Sequence, residues 1–254
     1  MAAADFVRKI RSRQPALGYW VTLDAPAAVE RLALVGYDYV CLDGQHGLFG
    51  YQGLLNGLIA VQAAGGSAGV ARVDSNNPTS ICRALDAGAD AIIVPLVDDA
   101  EQAASAVAAT RYPPNGVRSY GPMRSGLRIG PKPAEADESV AVLAMVETAR
   151  GLANVESICA TPGLDAVYIG PADLSLAVGA AYPGDPAVQR DFDAALARIR
   201  TAADAAGIAV GMHTPDGATA ARRLAEGFTF ASVSSDVEHL QQVAKSHLDT
   251  ASRG

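Results

Sequence analysis

Val167-Tyr168-Ile169-Gly170-Pro171-Ala172-Asp173-Leu174-Ser175 is an apolar run that stops at Gly-Pro and then offers one carboxylate. A strand that is continuously apolar, rather than alternating, is covered on both faces, as in parallel sheets flanked by helices. Upstream, Val140-Ala141-Val142-Leu143-Ala144-Met145-Val146-Glu147 has the same form and also finishes on an acid. Two buried strands that deliver Glu147 and Asp173 to one rim suggest a site for a hard divalent cation.

Outward from this pair the alternation repeats. Further short apolar runs lie at Gly18 to Thr22, Tyr39 to Leu42, Ala68 to Val73, Ala91 to Pro95, Ala209 to Met212 and Phe230 to Val233, which brings the predicted strands to eight. Between them, Ala25 to Val35, Pro78 to Asp86, Ala100 to Thr110, Leu152 to Ala160, Asp191 to Ala206 and Asp216 to Glu226 carry apolar residues at helical spacing. Gly36, Gly88 and Gly207 each stand between a helical segment and the next strand, where a left-handed closing residue is needed. Eight such units in 254 residues predict a single-domain (β/α)8 TIM barrel over 1–254. The alternative is an open doubly wound sheet, but no G-x-G-x-x-G follows a strand, so a dinucleotide fold has little local support. The stretch from Tyr112 to Ser139 is too rich in Pro and Gly for a simple helix, and loops this long are usually functional or interfacial.

With 50% hydrophobic and 19% charged residues, the chain can bury a core of barrel size. A formal charge of −7 without a Lys/Arg cluster argues against nucleic acid as a partner. Met1 to Gln14 is basic but is not followed by an apolar targeting segment, and no run is long enough to span a bilayer, so the expected location is cytoplasmic with no membrane partner. Cys41, Cys82 and Cys159 are odd in number and form no CxxC pair; each is expected to be a buried free thiol.

Chemistry in a parallel barrel gathers at the carboxyl ends of the strands. There the chain places Trp20, its only tryptophan, then Asp43-Gly44-Gln45-His46, Arg72, Glu147, Asp173 and Met212-His213-Thr214. Singly, each has a plain alternative. Asp173 caps a helix, Glu147 pairs with Arg150, His46 sits in a turn, His213 is a satisfied rim histidine, and Arg72 partners Asp74 or Asp86. Together they are two acids for a cation, an imidazole that exchanges protons near neutral pH and a guanidinium that can hold an oxyanion. The three lysines, Lys9, Lys132 and Lys245, end no predicted strand, so a Schiff base lacks its amine. Neither a G-x-S-x-G elbow nor a Cys/His pairing appears. Metal-assisted enolate chemistry on a 2-oxo acid remains, with Arg72 sharing the enolate charge and His46 moving the aldol proton.

Leu42-Asp43-Gly44-Gln45-His46-Gly47, Ala71-Arg72-Val73, Tyr112-Pro113-Pro114-Asn115-Gly116-Val117-Arg118, Met145-Val146-Glu147-Thr148 and Ile169-Gly170-Pro171-Ala172-Asp173-Leu174-Ser175 together resemble the metal-dependent HpcH/HpaI aldolases of the phosphoenolpyruvate/pyruvate barrel superfamily. The resemblance runs from about Gly18 to Asp236. It implies reversible cleavage of a 4-hydroxy-2-oxo acid to pyruvate and an aldehyde, with Glu147 and Asp173 as ligands of Mg, Mn or Co. It also implies Arg72 as the enolate-stabilising arginine, His46 as the catalytic histidine and Asp86 as the acid that orients His46. The backbone of Gly170, Pro171 and Ala172 would receive pyruvate's carboxylate, with Asp43 and Gln45 also at the substrate. The aldehyde pocket would include Trp20, Met212 and the Tyr112 to Ser139 loop. A homo-hexamer that exchanges its carboxyl-terminal helix, from Asp236 onward, is likewise implied.

Two positions depart from the family pattern: Gln45 stands where Glu is usual, and Met145 where Gln is frequent. The first removes a charge beside the proposed base; the second places a soft apolar group beside Glu147. Alternatives are a related carbon–carbon lyase acting on a bulkier or CoA-linked acid, an oxaloacetate decarboxylase, or a non-catalytic metabolite-binding barrel. Arg72→Ala and Glu147→Ala are expected to remove activity and leave the fold, since both lie at a rim.

Overall fold

The apolar runs form strands β1 (Ala16–Val21), β2 (Tyr39–Asp43), β3 (Ala68–Arg72), β4 (Ala91–Val94), β5 (Ala141–Met145), β6 (Ala166–Ile169), β7 (Ala209–Thr214) and β8 (Phe230–Ser235). In the structure, a computed structural model that describes residues 2–130 and 132–253, each pairs in parallel with the next and β8 returns to β1, closing the barrel. Pro131, within the Pro/Gly-rich stretch, and the terminal Met1 and Gly254 lie outside the described residues. An open sheet is excluded.

The helices are α1 (Ala2–Arg11), α2 (Pro26–Ala33), α3 (Tyr51–Ala64), α4 (Pro78–Asp86), α5 (Ala100–Thr110), α6 (Pro133–Ser139), α7 (Ala149–Ala153), α8 (Val155–Cys159), α9 (Pro171–Ala177), α10 (Gln189–Ala206), α11 (Gly217–Ala225) and α12 (Asp236–Ala251). Their starts follow from local chemistry. Asn77 and Asp99 accept the amides of Thr79 and Gln102 as caps, and Pro78 supplies a first-turn residue whose missing N–H costs nothing there. Gly36, Gly88 and Gly207 have φ of +111°, +100° and +72°, so the expected glycine joints are left-handed. Leu152 to Ala160, expected as one helix, is two, separated at Asn154.

Strand pleating divides the core. One set of side chains, among them Val40, Leu42, Ala71 and Ile92, faces outward onto Leu58, Ile81 and Ile199 of the covering helices. The other set fills the interior with Trp20, Tyr39, Val70, Ile93, Tyr168 and Phe230. The interior accommodates such rings because two facing positions have no side chain. A Cβ on Gly18 would lie 2.1 Å from Tyr39 Cζ, and one on Gly211 would lie 2.4 Å from Phe230. Phe6, Val7 and Ile10 of α1 close the amino-terminal end of this interior, with the Phe6 ring 4.8 Å from that of Tyr39. The other end remains open, so the fold leaves one rim for chemistry.

The Tyr112 to Ser139 stretch runs across α4, then makes a short 3₁₀ turn and α6. Buried Arg118 donates to Asp86 at 2.8 Å, and Val117, Met123 and Leu127 are exposed. No residue of α12 is buried, and its Leu240, Val243 and Leu248 face solvent. Only its start is tied down: Asp236 accepts the amides of Thr22 and Leu23, and Tyr19 Oη lies 2.8 Å from His239 Nδ1. Among the described residues no helix is long and apolar enough to cross a membrane.

Candidate active site

A cavity of about 250 Å³ opens at the carboxyl ends of the strands, lined by residues that include Trp20, His46, Arg72, Glu147, Asp173 and His213. A larger hollow of about 840 Å³ lies beside α1, Asp90 and Ser139, at the amino-terminal ends of β4 and β5. That end of a parallel barrel carries stability rather than chemistry.

Asp43, the last residue of β2, organises one side of the cavity from beneath. Its carboxylate is 1% exposed and takes Arg72 Nε at 2.8 Å and Nη2 at 2.5 Å. It also accepts Trp20 Nε1 at 3.1 Å and the amides of Gln45 and His46. β2 and β3 are paired with Asp43 opposite Arg72, so the fork-to-carboxylate contact follows from sheet register. Desolvation, the largest single influence, raises the Asp43 pKa, but the bonds and charge of Arg72 together with the bonds from His46 and Trp20 outweigh it and hold the carboxyl below its ordinary range. The Arg72 guanidinium, 8% exposed, also lies 5.0 Å from the Trp20 ring, and Nη1 is the terminal nitrogen that Asp43 leaves unengaged. Arg72 is therefore part of the buried structure. Against the expectation that its removal leaves the fold untouched stands the burial of Asp43, which would keep a charge without this partner.

Glu147 holds the opposite wall. It is 2% exposed; Oε1 accepts the Leu96 amide at 2.9 Å, whereas Oε2 is buried and has no partner among the described residues. Leu96 makes that bond from a left-handed backbone, φ +55°, unusual for a residue with a side chain. Burial pushes the Glu147 carboxyl up, with a further rise from the charge of Asp173. Asp173 lies in the first turn of α9, which Gly170 and Pro171 begin. A Cβ on Gly170 would fall 2.2 Å from Glu147 Oε2, so glycine is the residue that lets the turn approach the carboxylate. A buried carboxylate oxygen without a donor, electrostatically coupled to a second carboxylate, fits a cation shared by the two. Among the described residues no group of three or more His, Cys, Asp or Glu is gathered for a metal, so ligands beyond this pair would have to come from elsewhere.

Several expected site residues are placed elsewhere. Met212 packs in the outer layer, because successive residues of a strand face opposite ways; its neighbour His213 lines the cavity instead. β7 also runs on to Thr214, past the predicted end at Met212. Asp43 and Gln45 do not line the cavity. Asp43 holds Arg72 from below, and the Gln45 Oε1 atom is buried without a partner among the described residues. Among the described residues Asp86 is joined to Arg118 and not to His46. A β/α unit climbs its strand and descends its helix, so the last residue of α4 lies toward the amino-terminal end while His46 follows β2 at the other, and Asp86 is engaged by Arg118. No described residue of the Tyr112 to Ser139 loop lines the cavity either. Cys41 and Cys159 are buried free thiols, whereas Cys82 is only half-buried, with Sγ 3.6 Å from Asp86 Oδ2.

Other wall residues carried little sequence signal. Tyr168 stacks on Trp20 at 5.6 Å and donates to Ser232 Oγ at 2.7 Å; as an inward residue of β6 it could have been found from alternation relative to Val167 and Ile169. Thr22, Met145 and Ser235 complete the wall, and the Leu96 amide, as a backbone donor, leaves no mark in the sequence.

A closed parallel barrel with two carboxylates, a buried arginine and a histidine at its open rim has the layout of a barrel enzyme, whose chemistry sits at that end. The chain belongs to the HpcH/HpaI aldolase/citrate lyase family, whose sequence profile matches residues 16–242. It is 39% identical over 233 residues to a hydroxypyruvate/pyruvate aldolase of Rhizorhabdus wittichii, covering 91% of this chain and 92% of that protein. It is 37% identical over 242 residues to a 4-hydroxy-2-oxovalerate aldolase of Rhodococcus jostii, covering 93% and 91%. A crystal structure of a family member from Burkholderia cenocepacia superimposes with TM-score 0.87 at 33% identity, covering 98% of this chain and 99% of that one.

Proposed function

We propose that the chain is a divalent-metal-dependent aldolase that reversibly cleaves 4-hydroxy-2-oxo acids to pyruvate and an aldehyde through the pyruvate enolate. The observation that carries this reading is the unpartnered, buried Glu147 Oε2 next to Asp173 in a cavity shared with Arg72 and His46. Glu147 and Asp173 would hold the cation, Mg, Mn or Co. When bound, it supplies Lewis-acid stabilisation of the charge that develops on the oxo acid.

The rest of the work falls to the chain's own side chains. Arg72 is fixed by Asp43 before substrate arrives, so its remaining donor needs no reorganisation to meet the enolate oxygen. His46, whose backbone is held by Asp43, takes the proton of the C4 hydroxyl as the carbon–carbon bond breaks and returns it in synthesis. The Gly170, Pro171 and Ala172 turn receives pyruvate's carboxylate. Trp20 and Tyr168 form an aromatic wall that keeps water from the enolate.

The assembly in this reading is a homo-hexamer that uses the uncovered α12, and the compartment is the cytoplasm. Among supports for the assembly is an α12 whose Leu240, Val243 and Leu248 are exposed on its own chain. An Asp86–His46 pair can then form only between subunits.

The test is exchange of the pyruvate methyl protons in deuterated water. Exchange abolished by EDTA and restored by Mn or Mg supports the enolate reading. No exchange with any divalent metal rejects it and leaves a binding barrel. Turnover of oxaloacetate without any aldehyde-dependent product would instead make the chain a decarboxylase.

A further inference from the structure

The polar groups that line the β1, β6, β7 and β8 side of the cavity are nearly all committed to the protein itself. Trp20 Nε1 donates to Asp43, Tyr168 Oη donates to Ser232, Thr22 Oγ1 donates to Asp236, and Ser235 Oγ accepts the amide of Glu238 at the start of α12. His213 is the exception. It projects from β7 into the cavity lining, meets the edge of the Trp20 ring at 5.6 Å, and its Nδ1 is buried with no partner among the described residues. Burial, the largest influence, pulls the imidazole pKa below its ordinary value. The ring is therefore neutral near pH 7, with one nitrogen able to donate and the other to accept.

An imidazole in this place is costly unless something answers it. A leucine or methionine would fill the same space against Trp20 with no polar atom to satisfy, so a histidine makes physical sense where the missing partner arrives with the ligand. The partner must complement a neutral ring that both donates and accepts. A hydroxyl does so, while a methyl group of the same size does not. In the function proposed above Glu147, Asp173 and Arg72 serve the 2-oxo acid head and His46 serves the C4 hydroxyl, which leaves His213 for a further hydroxyl that the substrate carries.

We propose that His213 is a specificity-determining residue that hydrogen-bonds a substrate hydroxyl outside the 2-oxo acid head, so that the chain selects hydroxylated substrates over their methyl isosteres. This rests on the aldolase reading and names its substrate class. The hydroxyl has two possible sources: a 3-hydroxy-2-oxo acid used as the nucleophile, or a 2-hydroxyaldehyde used as the acceptor.

The experiment measures kcat/KM for two isosteric pairs, with the metal-loaded full-length enzyme. Glycolaldehyde against propanal, each with pyruvate, reports the acceptor; hydroxypyruvate against 2-oxobutanoate, each with one common aldehyde, reports the nucleophile. Wild type is expected to favour the hydroxylated member of at least one pair by about 10-fold or more, a site that bonds a hydroxyl rejecting the analogue that lacks it. His213→Leu should collapse that ratio toward one, and His213→Gln, which keeps a donor and an acceptor, should recover part of it. The ratio is internal to each variant, so a general loss of activity does not mimic the effect. The pair that responds identifies the source of the hydroxyl. Absence of preference in both pairs with wild type overturns the proposal without any variant, and so does an equal loss for both members of each pair in His213→Leu. Pyruvate proton exchange in wild type is followed in parallel. Exchange present with no hydroxyl preference removes the role of His213 alone, whereas exchange absent removes the aldolase reading with it.

Discussion

Gly170→Ala places one methyl group against the atom on which the metal site depends. The new Cβ would lie 2.2 Å from Glu147 Oε2 and 3.1 Å from Met145 Cε, so the carboxylate oxygen must withdraw by about 1 Å to reach ordinary contact. The backbone itself is no obstacle: Gly170 has φ −85° and ψ 100°, a region alanine adopts freely. The carboxylate cannot simply swing away, because Oε1 is held by the Leu96 amide at 2.9 Å. Breaking that charge-assisted bond costs about 1.5–3 kcal/mol, and keeping it leaves the clash in place. The expected result is a loss of about 1–3 kcal/mol in stability. A second result should accompany it. A ligand oxygen displaced by this amount should weaken Mn binding by about 10- to 100-fold, a loss of the size seen when the support of a metal ligand is removed.

The two effects are separable by calorimetric Mn titration of folded protein and by urea unfolding in EDTA. Glu147→Asp shortens the side chain by one methylene group and relieves the contact, so Gly170→Ala with Glu147→Asp should show coupling: less harm together than the sum of the two single changes. Wild-type Mn affinity and wild-type pyruvate exchange in Gly170→Ala would refute the placement of Oε2 at the metal. Additive losses in the double variant would refute the clash as the cause.

Glu147→Gln should raise the melting temperature in EDTA, since it removes a buried charge lacking a partner, yet abolish the Mn-induced rise that wild type shows, worth about 2.7 kcal/mol at 100 times Kd; an unchanged or lower melting temperature in EDTA counts against the buried charge. Arg72→Ala should cost about 3–5 kcal/mol in urea unfolding in addition to turnover, because it strands Asp43; a loss below about 1 kcal/mol would return Arg72 to the status of a rim residue. Leu96→Gly, which retains the amide and suits φ +55°, should preserve Mn binding, whereas Leu96→Pro, which removes the donor and cannot adopt that φ, should weaken it, and equal affinities in a Mn titration would show that this backbone position does not hold Glu147.

The barrel was legible in the sequence because its evidence is redundant. Eight apolar runs and the glycine joints at Gly36, Gly88 and Gly207 all imply the same topology, so an error of one or two residues at any strand end changes nothing. A site residue has no such margin. Ending β7 at Met212 rather than Thr214 exchanged an outward methionine for an inward histidine, because the pleat reverses at every residue. Glu147, Asp173 and Arg72 survived the same uncertainty, since each stands at or just beyond its strand's end, where the rim lies. Asp86 is a different case: motif spacing carries no direction, and the helix takes it away from the rim of its own chain. The plug formed by Phe6, Val7 and Ile10 went unread because one helical turn of apolar residues is too short a period to separate from chance. Leu96 contributes only an amide, which every residue but proline possesses.

Of the buried polar atoms without a partner among the described residues, Glu147 Oε2 and His213 Nδ1 belong to residues that line the cavity, and they bear on function more directly than the saturated ones around them. Asp43 is a buried acid saturated by the protein itself: five donor groups converge on it, and its pKa falls. Glu147 is equally buried, yet one oxygen is left bare and its pKa rises. If stability alone governed the rim, the cheapest change would be a neutral side chain at 147 and an apolar one at 213, and both would fit the space. Keeping a charge and an imidazole unpaired at the open end, while Tyr168, Trp20, Thr22 and Ser235 are bonded within the protein, concentrates the unfavourable desolvation on the surfaces a ligand would cover. The partition also separates two properties. Cation binding at Glu147 should decide whether the enolate forms at all, and His213 should decide which substrate meets it. Variants at the two positions should therefore act multiplicatively, with a change at one altering turnover of every substrate and a change at the other altering only the ratio between them.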